Sequence, residues 1–237
     1  MLTLTTAPVA ALLDRLVEEN AAAHAATISA TMTYWARYSE SKIDNSQGTV
    51  DYSSFSKLVQ NAHLSVSWDT GALLYTCARL KKAEFLVEFG TSCGFTTVFL
   101  AAALRDNIEK QKCKVITAEL DSLKVHRAKQ NLQQAGLCDL VEFREGDALK
   151  TLSAGLPNSV DMLFLNGPLQ LYVGVLKTVE PCLQHGAVVV ATGADVDSPY
   201  VSHVRASESG YMSFRGGDNL EVSLRACAIR NEKTTLT

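Results

Sequence analysis

From Ala83 onward, short apolar runs alternate with longer stretches of helical spacing. FLVEF, KVITAEL, VEFREG, DMLFLN and AVVVAT read as strands, and TTVFLAAALRD, SLKVHRAKQNLQQAGL and LQLYVGVLKTVEPCL read as the helices between them. Alternation of this kind builds a parallel sheet covered on both faces. The tail changes character: YVSHVR reads as a helix, and GYMSFR and LEVSLRA flank Gly216, Gly217, Asp218 and Asn219 as the arms of an antiparallel hairpin do. Upstream, residues 8 to 39 are rich in alanine, with Val9, Leu12, Leu13, Leu16 and Val17 at helical spacing and Pro8 as an opener. A polar stretch, SESKIDNSQGTVDYSS, reads as a loop. A short helix near Phe55 to Gln60 follows, then a longer one from about Asp69 to Lys81 that Ser67 or Asp69 can cap.

The pattern therefore predicts an α/β chain with a seven-stranded, mostly parallel sheet, a C-terminal antiparallel hairpin and appended N-terminal helices. The expected organisation is a helical cap segment over 1–60, a sheet domain over 61–227 and a tail over 228–237. A length of 237 residues, 47% of them hydrophobic, suffices for one sizeable core. Lys+Arg 22 against Asp+Glu 25 gives a formal charge of -3, without the basic excess that a phosphate backbone calls for, so nucleic acid is not an expected partner. The six cysteines form no CxxC pair, and most sit in apolar runs, which predicts buried free thiols in a reducing compartment. The first twenty residues lack a basic n-region, and no apolar run approaches a membrane-spanning length. A soluble cytoplasmic protein acting on a small molecule, with no membrane partner, is the expectation.

The candidate chemistry lies at the carboxyl ends of the strands, where open α/β sheets bind ligands. In LVEFGTSCGFTT a strand ends at Glu88, Phe89 and Gly90, and a turn through Gly94 opens a helix. The two glycines permit tight turning and close ligand approach, and Glu88 can accept from a cationic amine over the strand end. The G-x-x-x-G spacing is not the G-x-G-x-x-G of a dinucleotide fingerprint. Glu119, ending TAEL, stands where a carboxylate accepts ribose hydroxyls, a solvated acid being the plainer reading. Asp147, in EGDAL, either accepts from an adenine amine or caps the next helix. Acids at consecutive strand ends together favour an amino-acid-bearing nucleoside.

VEFGTSCGFTT, TAELDSLKVHRAKQNLQQAGL, VEFREGDAL and GGDNLEVSLRA resemble the small S-adenosylmethionine-dependent O-methyltransferases related to the catechol and caffeoyl-CoA enzymes, over roughly residues 60 to 227. The resemblance implies a class I methyltransferase (Rossmann-like) fold with S-adenosyl-L-methionine as cofactor. It further implies that Glu88, Gly90 and Gly94 surround the methionine part, that Glu119 holds the ribose and that Asp147 lies near the adenine. Val66 and Ser67, in HLSVSWDTG, match the stretch lining the sulfonium side. The resemblance also allows a homodimer.

The reaction centre departs from the family pattern. The family's fourth strand ends in a metal-binding Asp, with a Lys three residues later, and its fifth strand ends in an Asp-Asn pair. Aligned through Tyr172, the first two positions are Asn166 and Leu169; counted from Gly186, the pair is Thr192 and Gly193. Magnesium prefers charged oxygen ligands, so no metal site is expected. Asn166 either orients a substrate by hydrogen bonding or caps the next helix. His63 and Asp195 are candidate replacement bases, each weighed against an ordinary loop residue, and His203 reads as surface or hairpin packing. Tyr34, Trp35 and Tyr38 read as helix packing that can also line an apolar pocket with Pro168 and Leu169. The expected function is metal-independent methyl transfer to a small, fairly apolar acceptor. The alternatives are a non-methylating cyclase or pericyclase on the same scaffold, or a silent binding subunit.

Overall fold

The computed structural model describes residues 2–22, 66–107, 112–217 and 219–226. A helix, α1, spans residues 7–22, with Pro8 in its first turn. Val9, Leu12, Leu13 and Leu16 are buried, as the spacing predicts, while Val17 is 42% exposed and lies outside the apolar stripe. The stripe joins the core formed with α2 (Trp68–Leu80) and α3 (Phe95–Asp106). Ser67 caps α2, its side chain accepting from Thr70 N, so the helix starts one residue before the expected Asp69.

The seven strands are β1 (Phe85–Phe89), β2 (Lys114–Glu119), β3 (Val141–Glu145), β4 (Val160–Leu165), β5 (Leu183–Ala191), β6 (Tyr211–Arg215) and β7 (Glu221–Arg225). They form one sheet in the order β3-β2-β1-β4-β5-β7-β6. Strands β1 to β5 pair in parallel, and β7 runs antiparallel to both β5 and β6. This is the expected mostly parallel sheet closed by a hairpin. Strand β1 lies between β2 and β4, so all of its residues except Phe85 are buried. Buried Asp161 fixes the bottom of this pairing by accepting from Glu84 N at 2.7 Å and Phe85 N at 3.0 Å.

One face of the sheet packs on α1, α2, α3 and α4 (Ser122–Gln134). The other packs on α5 (Ala148–Thr151), α6 (Tyr172–Val179) and α7 (Pro199–Arg205). The stretch expected as one helix after β4 is divided, with a 3-10 turn at Leu169–Leu171 before α6 and another at Glu180–Cys182 after it. Pro181 ends it, since proline supplies no N–H and clashes with the preceding helical turn. Arg205 makes a two-pronged ion pair with almost fully buried Glu221, at 2.7 and 2.8 Å, and so ties α7 to β7. Among the described cysteines only Cys93 is buried; Cys77, Cys113, Cys138 and Cys182 are half-buried and free. Among the described residues no helix is long and apolar enough to cross a membrane.

Candidate active site

The carboxyl ends of β1, β2, β4 and β5 meet around the turn between β1 and α3. Gly90 leaves β1 with φ 97, and a Cβ there would stand 2.5 Å from the Asn166 backbone oxygen. Asn166 N donates to Phe89 O at 2.8 Å, closing the same contact. The glycine is therefore required by the approach of the protein's own β4 end. Gly94, with φ 86, starts α3, and a Cβ there would press 2.9 Å from Leu132 Cδ2 on α4. Both positions need a left-handed backbone, which glycine adopts without steric penalty.

Glu88 is 0% exposed. Thr96 donates to its Oε1 at 2.5 Å, and Thr97 and Thr117 donate to its Oε2 at 2.6 and 2.7 Å. Thr91 and Thr117 hydroxyls lie 2.5 Å apart behind this clamp. Burial pushes the Glu88 carboxyl up to about 7, against the lowering pull of the three hydroxyls. A side chain expected to accept from an amine above the strand is thus held beneath the turn, joining the first turn of α3 to β2. The clamp was missed in the sequence, although Thr117 sits opposite Glu88 in the parallel register.

Glu119 is half-buried at the end of β2. Its Oε2 accepts from Ser92 N at 2.9 Å and its Oε1 from Asp121 N at 3.1 Å. Each oxygen retains acceptor capacity. Ser92, with φ 49, was not singled out by the sequence, yet it links the glycine turn to this acid. Asp147 is exposed and caps α5, accepting from Leu149 N at 3.0 Å, so the capping reading applies in this structure. Val66 packs against the core beside α2, and Ser67 is its exposed cap.

At the β4 and β5 ends, Thr192 Oγ1 donates to Asn166 Oδ1 at 2.7 Å. The buried Tyr172 hydroxyl donates to Thr192 O at 3.1 Å, which supports the same strand end from below. Leu169 is half-buried three residues beyond Asn166, and Gly193 is exposed. Among the described residues no three His, Cys, Asp or Glu side chains converge as a metal-binding group. Asp195 is exposed in the loop after β5, where its backbone carbonyl accepts from Ser198 N at 2.9 Å. His203 is half-buried on α7. His63, Tyr34, Trp35 and Tyr38 lie outside the described residues. The structure thus brings together Gly90, Asn166 and Thr192 at one edge and Gly94, Ser92 and Glu119 beside it, with Asp195 on a neighbouring loop.

The family profile described as "Methyltransferase domain" matches residues 87–191, from within β1 to the end of β5. A catechol O-methyltransferase of Niastella koreensis is 29% identical over 131 residues, 54% of this chain and 57% of that protein. One of Mycobacterium tuberculosis is 30% identical over 127 residues, again 54% of this chain and 56% of the relative. The chain thus spans little more than half the length of these curated relatives. Among solved structures, the O-methyltransferase TomG from Streptomyces achromogenes, involved in tomaymycin synthesis and in complex with SAM, is 26% identical with a TM-score of 0.56, covering 72% of this chain and 86% of that one. In strand order and over the matched residues, the chain is thus similar to O-methyltransferases on the class I methyltransferase fold.

Proposed function

We propose that the protein is an S-adenosylmethionine-dependent methyltransferase that works without a metal ion on a small, fairly apolar acceptor. The cofactor suits the residues present. Glu119 stands at the β2 end with acceptor capacity left for ribose hydroxyls. The buried first turn of α3 has no side-chain cap, so its N–H groups suit a ligand carboxylate. Asp147 at the α5 cap is the adenine-side residue in this reading, and Val66 and Ser67 border the sulfonium side. Glu88 acts from below, holding Thr96 and Thr97 so that the Gly90–Gly94 turn keeps its shape.

When bound, S-adenosylmethionine supplies an electrophilic methyl group on a positively charged sulfur. The chain's part is to hold the acceptor in line with that carbon, the kind of alignment that lowers a barrier without acid–base chemistry. Asn166 is the side chain that orients the acceptor in this reading. Asp195 and His63 are the proposed proton acceptors for a hydroxyl that arrives protonated.

The observation that carries the metal-free reading is the Thr192 to Asn166 hydrogen bond of 2.7 Å. Two neutral groups satisfy each other where the family resemblance implies charged metal ligands, and magnesium gains no counter-charge from them. The test is formation of S-adenosylhomocysteine, followed by mass spectrometry across a panel of phenols, in chelator and in added magnesium. Equal turnover in both is expected. Turnover that vanishes in chelator and returns with magnesium would overturn the reading.

A further inference from the structure

The hydrogen bond at the strand ends fixes which way the Asn166 amide faces. Thr192 has one hydroxyl proton, and it has three acceptors within reach: Asn166 Oδ1 at 2.7 Å, and Leu165 O and the Tyr172 hydroxyl oxygen at 3.4 Å each. With the amide turned over, its NH2 group would meet the Thr192 oxygen, and the Thr192 proton would be left with the two 3.4 Å contacts alone. The Tyr172 hydroxyl offers no better partner, being 3.4 Å from Thr192 Oγ1 and directed to Thr192 O. The amide oxygen therefore belongs to Thr192, and the NH2 group is the end turned away from it. Among the described residues none accepts a hydrogen bond from that group. Asn166 is half-buried at the carboxyl end of β4 and touches the Gly90 turn through its backbone. The next residues, Gly167, Pro168 and Leu169, carry no acceptor side chain.

We propose that Asn166, oriented by Thr192, is a hydrogen-bond donor that selects methyl acceptors bearing a carbonyl or already ionised oxygen beside the reacting atom. This rests on the methyl-transfer reading for the word "acceptor", while the donor role rests on the amide geometry alone. A hydroxyl in the same place would bring a proton needing an acceptor of its own, and an unsatisfied buried donor is costly. A carbonyl oxygen brings no such proton. Thr192 is a positioning residue, since it acts by fixing the amide.

Three phenols of similar size separate these cases: ortho-hydroxyacetophenone carries the carbonyl, ortho-ethylphenol lacks the oxygen, and catechol carries a hydroxyl instead. Each is titrated into the isotope-labelled full chain, with and without S-adenosylhomocysteine, following both affinity and the Asn166 side-chain amide signal, assigned by its loss in Asn166→Leu. The ketone should bind roughly five- to ten-fold more tightly than the ethyl analogue, the range expected of one hydrogen bond. It should also shift the amide signal, and the preference should fall to about one in Asn166→Leu. Thr192→Ser should keep the preference, whereas Thr192→Val frees the amide to turn and should bring ketone and catechol closer together.

A ketone preference that persists in Asn166→Leu, no preference at all, or no binding of the ketone would each overturn the donor role. Failure to bind S-adenosylhomocysteine would instead sink the methyl-transfer reading, and the amide shift in the unloaded protein still decides the donor role.

Discussion

Replacing Glu88 by glutamine tests whether a carboxyl group locked under the turn between β1 and α3 titrates near neutral pH. The native carboxyl is raised from 4.5 to about 7 by burial, with three threonine hydroxyls as its partners. The sign follows from proton binding. Between those two values the folded chain holds a proton that the unfolded chain has released, so stability falls as pH rises through this window. The contribution is fully present below 4.5 and lost above about 7. At ~1.4 kcal/mol per pH unit the loss is roughly 3 kcal/mol. Glutamine is the right comparison because its oxygen can keep Thr97 and Thr117 while its NH2 group replaces the oxygen facing Thr96. One amide proton then lacks a partner, which costs about 1 to 3 kcal/mol at every pH.

Urea unfolding of wild type and Glu88→Gln at a series of pH values from about 4.5 to 8, at constant ionic strength, reads the difference directly. Wild type should be the more stable protein at the acid end. Its advantage should shrink by roughly 3 kcal/mol toward pH 8. Every other titrating group cancels in the comparison unless it contacts Glu88. Parallel stability curves would refute the raised carboxyl, and an advantage that grows with pH would mean that the hydroxyl clamp outweighs burial.

Glu119→Ala should weaken S-adenosylhomocysteine binding by about 1.5 to 3 kcal/mol, because a charged acceptor and the anchor of Ser92 N are lost together; unchanged calorimetric affinity would remove Glu119 from the ribose. Gly90→Ala should destabilise the fold by roughly 2 to 5 kcal/mol, since its Cβ would stand 2.5 Å from a backbone oxygen at φ 97, and thermal unfolding checks this. Leu13→Ala, deep in the shared core, should cost about 2 to 5 kcal/mol; a loss below ~1 kcal/mol would mean that α1 adds little to the core. Asn166→Asp should neither bind magnesium tightly nor methylate catechol, because Thr192 and Gly193 supply no second carboxylate; strong magnesium-dependent methylation by this variant would show that the metal site had needed only one change.

The sheet was legible because period and burial coincide. Runs such as FLVEF and DMLFLN are apolar on both faces, and only a strand covered by helices on both sides buries them. Val9, Leu12, Leu13 and Leu16 announced the buried stripe of α1 by the same logic. The extent of the helix after β4 was less legible, since LQLYVGVLKTVEPCL keeps helical spacing through residues whose ends tighten into 3-10 turns. Periodicity does not register hydrogen-bond geometry at a helix end. The half-burial of four cysteines was likewise hidden, because an apolar neighbourhood in sequence does not say which side of an element a thiol occupies.

The site was legible as a set of residues and illegible as a set of pairs. Glu119 and Gly90 were named from their strand ends, but Ser92 N joins Glu119 across 27 positions, and no periodicity predicts that. Glu88 shows the cost of reading one residue alone. At a strand end it looks like a ligand group, yet Thr96, Thr97 and Thr117 turn it inward, and their hydroxyls became visible as partners only once β1 and β2 were in register.

Asn166 shows the reverse. Alone, it is a carboxylate lost. Beside Thr192 it is half of a neutral pair in which a hydroxyl proton finds its acceptor at 2.7 Å. Two carboxylates held this close would repel and raise each other's pKa unless a cation lay between them, whereas amide and hydroxyl need no cation between them. The proposed metal independence therefore rests on more than missing charge: the two side chains hydrogen-bond each other, and the amide protons left over are the ones that the proposed donor role assigns to a substrate.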